Sequence, residues 1–341
     1  MKRIRRALAI TTIIALAITS TGCTSIKKKR NLEKITVAEV THSVFYAPQY
    51  VAIEKGFFEE EGLEIDLIGA YGADKTMAAL LSNEAQIGFM GPEASIYVYG
   101  QGSKDYAISF AQVTKRDGTF LMSRNPEPNF TFDNLKGKEV IGGRRGGMPE
   151  MTLEYVLKNN GLTIGTNRDA GEVNVRTDIQ FDVMAGAFTG GEGDYVTLFE
   201  PMATSTQKAG TGHIVASIGA ESGEIPYTAY CAMESYIDAN PDIIQRFTNA
   251  IYKGQQYVRD HSAQEIAEII NPQFMELGMD ELIEVIERYK ANDTWCQDPL
   301  LKEESLDRLM DVMELAGELE ERVPYDKIVT KEFATKAVNG D

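Results

Sequence analysis

The feature that most limits how this chain can fold is a repeated exchange of short strand-like runs and helical runs from Lys34 onward. Ile35–Val40, Leu63–Ile68, Ala85–Met90, Tyr106–Thr114 and Thr119–Ser123 read as strands, with helices expected at Ala47–Lys55, Asp74–Ser82 and Glu93–Tyr99. Strands joined through helices pair mostly in parallel and are covered by those helices, which is an α/β fold. The Pro- and Asn-rich run Asn125–Phe132 breaks the rhythm and reads as a crossover. A second set follows, with strands at Glu139–Gly142, Val173–Thr177, Tyr195–Leu198 and Ile214–Ile218 and helices at Pro149–Asn159 and Gln180–Phe188. Ser222–Thr228 reads as the return crossing, and Asn240-Pro241 then opens a helical tail. One lobe is therefore expected from 34–124 with 229–341, and an inserted lobe from 125–228. Two crossings between lobes make a hinge and a cleft.

Residues 1–22 carry a basic head, Lys2, Arg3, Arg5 and Arg6, and an apolar stretch from Ala7 to Ile18. About 12 apolar residues are too few to span a bilayer core that needs about 20, so the segment reads as a signal peptide. Ser20-Thr21-Gly22-Cys23 resembles the lipobox of bacterial lipoproteins, with Ser20 where Leu is usual. That resemblance implies acylation of Cys23, and 23–33 reads as a tether. The expected location is the extracytoplasmic face of the cell membrane, held by the lipid anchor.

The chain has 34 Lys+Arg against 51 Asp+Glu, a formal charge of −17, which repels phosphate backbones and argues against nucleic acid as a partner. Three Cys and three His offer little for a metal cage, and no metal or cofactor is expected. Cys231 and Cys296 read either as a pair or, preferably, as buried free thiols.

The segment YAPQYVAIEKGFFEEEGLEIDL, residues 46–67, resembles the opening of periplasmic-type solute-binding proteins of the nitrate/taurine/sulfonate and thiamine-pyrimidine class. AQIGFMGPEA (85–94), LKGKEVIGGRRGG (135–147) and DYVTLFEPMA (194–203) match further, in order and spacing. The resemblance implies a periplasmic-binding-protein-like type II fold, two α/β lobes joined by a two-strand hinge around a ligand cleft. It also implies a monomer that takes up a small-molecule ligand and hands it to an ABC permease driven by its ATPase. Within the motif itself, Gly56 suits a left-handed helix end and Phe57-Phe58 a staple to the core.

In open α/β sheets ligands sit beyond the carboxyl ends of strands, so the loops there hold the candidates. Phe45 and Tyr46 can stack on a planar ligand or pack beneath their loop. Tyr71 is a candidate cleft aromatic, and Asp74 a helix cap. Met90-Gly91-Pro92-Glu93 lets backbone approach closely. Glu93 serves equally as a dipole partner or as a carboxylate for an amine. Arg144, Gly146, Gly147 and Met148 lie in a glycine-flanked basic loop, readable as an anion grip or as surface charge. Phe188, Phe199 and Glu200 complete the second lobe, with capping an alternative for Glu200. Tyr227 can clamp ligand or pack at the hinge. Aromatic and acidic candidates outnumber basic ones, which favours a heteroaromatic solute such as a thiamine-pyrimidine precursor over a sulfonate, taurine or nitrate. No enzyme is expected: the related pyrimidine synthases carry a Cys-rich motif, whereas Cys231 and Cys296 stand far apart, and the signal segment removes the chain from cytosolic cofactors; a pyrimidine-synthase-like enzyme and a ligand-sensing ectodomain partner are the alternatives of another class.

Overall fold

The structure, a computed structural model, describes residues 32–340. The signal-peptide reading (1–22), Cys23 and nearly all of the tether lie outside the described residues. The strand-forming runs make ten strands: β1 (Glu33–Glu39), β2 (Leu63–Gly69), β3 (Ile87–Met90), β4 (Ala107–Thr114), β5 (Thr119–Ser123), β6 (Glu139–Ile141), β7 (Asn174–Arg176), β8 (Tyr195–Phe199), β9 (His213–Ser217) and β10 (Thr228–Met233). They form two five-stranded sheets, ordered β2-β1-β3-β10-β4 and β7-β6-β8-β5-β9. In the first sheet β1 runs parallel to β2 and β3, and β10 runs antiparallel to β3 and β4. In the second, β6 runs parallel to β7 and β8, and β5 runs antiparallel to β8 and β9. Each sheet thus receives one reversed strand at a crossing between lobes.

β3 and β10 are buried along their whole length, because helices cover both faces of the first sheet. Phe89 on β3 stacks on Tyr230 on β10 at 4.1 Å, and Phe247 of the helix Pro241–Asp260 meets Tyr230 edge-on at 4.9 Å. That helix approaches the helix Ala47–Glu54 so closely that a Cβ on Gly254 would lie 2.3 Å from the carbonyl oxygen of Pro48. Gly56 adopts the expected left-handed conformation, φ +73°, after the helix Ala47–Glu54.

One expected boundary moves. Thr119–Ser123, read into the first lobe, pairs with β8 and β9 in the second sheet, so the first crossing is the short Lys115–Gly118 link. Asn125–Phe132 is instead a loop within the second lobe. The return crossing runs beside the first: Ile225 N donates to Lys115 O at 2.9 Å and Tyr227 N to Thr114 O at 3.1 Å.

The tail 229–341 is not confined to the first lobe. A third segment flanks the crossings, with Lys115 N donating to Thr294 O at 2.9 Å and Cys296 N to Val113 O at 2.8 Å. Beyond it the helix Glu303–Ala316 packs on the second-lobe helix Met148–Asn159, where Lys158 Nζ donates to Leu315 O at 2.7 Å. Cys231 and Cys296 are buried free thiols. Trp295 is buried and donates from Nε1 to Phe45 O at 2.8 Å.

Candidate functional site

The carboxyl ends of both sets of parallel strands meet around a cavity with about 590 Å³ of atom-free space, part of it open to solvent. From the first lobe come the ends of β1 and β3 and the loops after β1, β2 and β3: Val40, Thr41, Tyr46, Gly72, Ala73, Gly91 and Glu93. From the second come the loop after β6, the turn beyond β7 and the end of β8, bringing Arg144, Gly147, Met148, Phe181 and Phe199. Tyr227 and Thr228 enter from the return crossing. The lobes are shut on each other here. Tyr97 Oη donates to Gly146 O at 3.0 Å, Ser43 Oγ donates to Glu200 O at 2.5 Å, and Arg144 lies 3.4 Å from Asp74.

Glu93 opens the helix Glu93–Gly100, and its side chain folds back against Gly91. A Cβ on Gly91 would lie 1.9 Å from a Glu93 carboxylate oxygen and 2.7 Å from Met148, so only glycine leaves that space free. Glu93 is 1% exposed, and neither carboxylate oxygen has a hydrogen-bond partner among the described residues. Burial raises its pKa to about 7, and the charge of Arg144 with nearby backbone N–H groups offsets only part of that rise. Tyr227 is likewise buried with an unpartnered hydroxyl among the described residues, and burial pushes its pKa well up. The site is therefore a slot with aromatic walls (Tyr46, Phe181, Phe199, Tyr227) and an unsatisfied carboxyl at one side.

Of the residues expected from sequence, Tyr46, Gly91, Glu93, Arg144, Gly147, Met148, Phe199 and Tyr227 line this cavity. The others stand elsewhere, each for a physical reason. Phe45 is fully buried one layer behind, against Phe199, Tyr227 and Tyr289. Met90 sits in the first-lobe core. Phe188 is buried in the second lobe with the Arg124 guanidinium 4.3 Å over its ring. Glu200 follows its capping alternative: its carboxylate accepts from Thr204 N and Oγ1, both at 2.9 Å, and pairs with Arg288. Gly146 is occupied by backbone duty, its N–H donating to Glu150 Oε2 at 3.0 Å. Tyr71 is 55% exposed at φ +59°, while its neighbours Gly72 and Ala73 do the lining. Asp74 does not cap its helix. Gly72 takes that position without a side-chain bond, and Asp74 in the first turn reaches Arg144 instead. Val40, Thr41, Gly72, Ala73, Gly143, Pro149, Phe181 and Thr228 also line the cavity and were not among the expected contacts. The turn after β7 is also a strand carboxyl end, so the same rule that found the other loops would have found Phe181.

Comparison with known proteins places these features in a family. The model of the NMT1/THI5-like family matches residues 44–265, and the chain belongs to that family. It is 48% identical over 313 residues, 92% of each chain, to a Bacillus subtilis (strain 168) protein named "Putative binding protein YtlA". It is 24% identical over 249 residues, 70% of each chain, to the 4-amino-5-hydroxymethyl-2-methylpyrimidine phosphate synthase of Aspergillus parasiticus. Among solved structures it resembles the alkanesulfonate-binding protein SsuA of Xanthomonas axonopodis pv. citri bound to MOPS. The TM-score is 0.68 at 16% identity, covering 87% of this chain and 98% of that one. The fold is thus that of the periplasmic binding proteins.

Proposed function

We propose that this protein is the extracytoplasmic solute-binding component of an ABC importer, and that its cargo is a flat, amine-bearing heterocycle of the aminopyrimidine type. The carrying observation is Glu93, a fully buried carboxyl with both oxygens unpartnered among the described residues, inside aromatic walls. A buried acceptor pair of this kind costs free energy until a donor reaches it, and an amino or amidine-like group supplies one. The aromatic walls suit a planar ring. A pyrimidine phosphate synthase among the relatives is consistent with that ring class. Cargo binding drives closure because contacts come from both lobes, and the closed form is then what a permease receives. The protein acts as a binder and catalyses no covalent step.

A second reading, a sulfonate or another small anion, is favoured by Arg144 in the lining and by the likeness to an alkanesulfonate-binding protein. Arg144 already faces Asp74 at 3.4 Å, and Glu93 could sit beside an anion only as the protonated acid, so this reading ranks second. A melting-temperature screen of aminopyrimidines, alkanesulfonates, taurine and nitrate separates the two. Aminopyrimidines alone are expected to shift the transition, and a shift by sulfonates or nitrate alone overturns the preference. Titration calorimetry on Glu93→Gln is expected to show at least tenfold weaker binding.

Membrane attachment through Cys23 is part of the same proposal. Cys23→Ala is expected to move the protein from the membrane fraction to the soluble fraction, and an unchanged distribution would remove the anchor.

A further inference from the structure

Tyr227 stands between two kinds of surroundings. Tyr227 lines the cavity, and its hydroxyl interacts electrostatically with the carboxyl of Asp117, on the first crossing. Asp117 does not line the cavity and is 1% exposed. Its Oδ1 is fully engaged, accepting from Thr119 N and from Thr119 Oγ1, both at 2.6 Å. Its Oδ2 and the Tyr227 hydroxyl are both buried, and neither has a partner in hydrogen-bonding geometry among the described residues. The backbone on either side of this carboxyl is closely packed. A Cβ on Gly219 would lie 2.0 Å from Asp117 O, and one on Gly118 would lie 2.5 Å from the Phe45 ring. Two adjacent orphans, one able to donate and one able only to accept when ionised, are each other's available complement.

A tyrosine hydroxyl is ambivalent, since it can donate or accept towards a ligand by rotating its hydrogen. A carboxylate neighbour removes that ambivalence, because the hydrogen turns to it and the phenolic oxygen is left with lone pairs only. We infer that Asp117 is a specificity-determining positioning residue: it claims the Tyr227 hydrogen and makes the hydroxyl an acceptor towards the cavity. With Glu93 the slot then offers acceptors from two sides, so it selects a ring carrying an amino group over the same ring carrying an oxo group. This deepens the proposed function and rests on its assignment of an amine-bearing heterocycle to the cavity.

The substitution Asp117→Asn gives a directional test. The retained Oδ1 keeps its Thr119 bonds, so the new Nδ2 amide donates towards Tyr227 and turns the phenolic hydrogen to the cavity. The probes are 4-amino-2-methylpyrimidine and 2-methylpyrimidin-4-one, titrated calorimetrically into the full chain. Wild type is expected to prefer the amino compound by at least tenfold, and Asp117→Asn to lose or invert that ratio. Tyr227→Phe is expected to lower the ratio to the part that Glu93 alone supplies, and adding Asp117→Asn to Tyr227→Phe to change it no further. A capping role at Thr119 alone would weaken both probes equally and leave the ratio intact, which overturns the inference. So does a ratio change by Asp117→Asn that persists in the Tyr227→Phe background. If Asp117→Asn fails to fold, Tyr227→Phe alone decides: an unchanged ratio overturns the inference. If wild type binds the amino probe without preference over the oxo probe, the inference falls while the proposed function stands. If it binds neither, both fall.

Discussion

Glu93 sets a sign for the pH dependence of the unliganded protein. Its carboxyl is held at about 7 in the fold against an ordinary value of 4.5, chiefly by burial. Between those values the folded state binds more protons than the unfolded one, so stability falls as pH rises through that window. Below about 4.5 the penalty is absent, and above about 7 it is complete, at most about 3 kcal/mol. Asp117, pushed to about 6, and Glu150, pushed to about 7, both mainly by burial, add slopes of the same sign. Urea unfolding of Glu93→Gln is expected to match wild type at pH 4 and to exceed it at pH 8, a crossover that a generally disruptive substitution would not give. The identity of Glu93 was legible in the sequence as a choice between a dipole partner and a ligand carboxylate. Its isolation was not, because only the fold brings Met148 of the second lobe against the Gly91–Glu93 turn.

Elements were read more securely than the positions of their side chains. The helix motif through Gly56 and most strands stand within a residue or two of their expected bounds, because local periodicity and glycine punctuation decide them. Thr119–Ser123 was recognised as a strand, but its partners β8 and β9 come more than 70 residues later and no local signal names them. Phe45 and Tyr46 show the same limit at finer grain. They are adjacent on one short turn, yet one lines the cavity and the other is buried behind it. The close approach at Gly254 makes an element-scale prediction. Gly254→Ala drives a methyl group into the Pro48 carbonyl and is expected to cost about 1–3 kcal/mol by urea unfolding, with solute affinity unchanged. An unchanged unfolding midpoint would show that the two helices can part without loss.

At the scale of the whole molecule, lobe closure rests on few side chains. Tyr97 reaches from the first lobe to Gly146 of the second, so Tyr97→Phe removes one bridge and keeps the ring. The expected result is weaker solute binding by about threefold to tenfold, with the stability of the unliganded chain within about 0.5 kcal/mol of wild type. Equal affinity by calorimetry would remove Tyr97 from the closing contacts. The two-lobed plan was legible from the interrupted strand–helix rhythm. The reach of the tail across both lobes was not, because the stripe on Glu303–Ala316 marks a buried face without saying which lobe it covers.

The run from Thr294 to Cys296, hydrogen-bonded along the first crossing, changes what a swing of the lobes entails. Two links alone could flex freely, whereas a splinted joint has to carry its splint along or shear it. The gape between the halves should accordingly be narrow and its axis well defined. A chain cut before residue 294 would be left with a loose elbow, and its halves would meet the cargo at many angles instead of one.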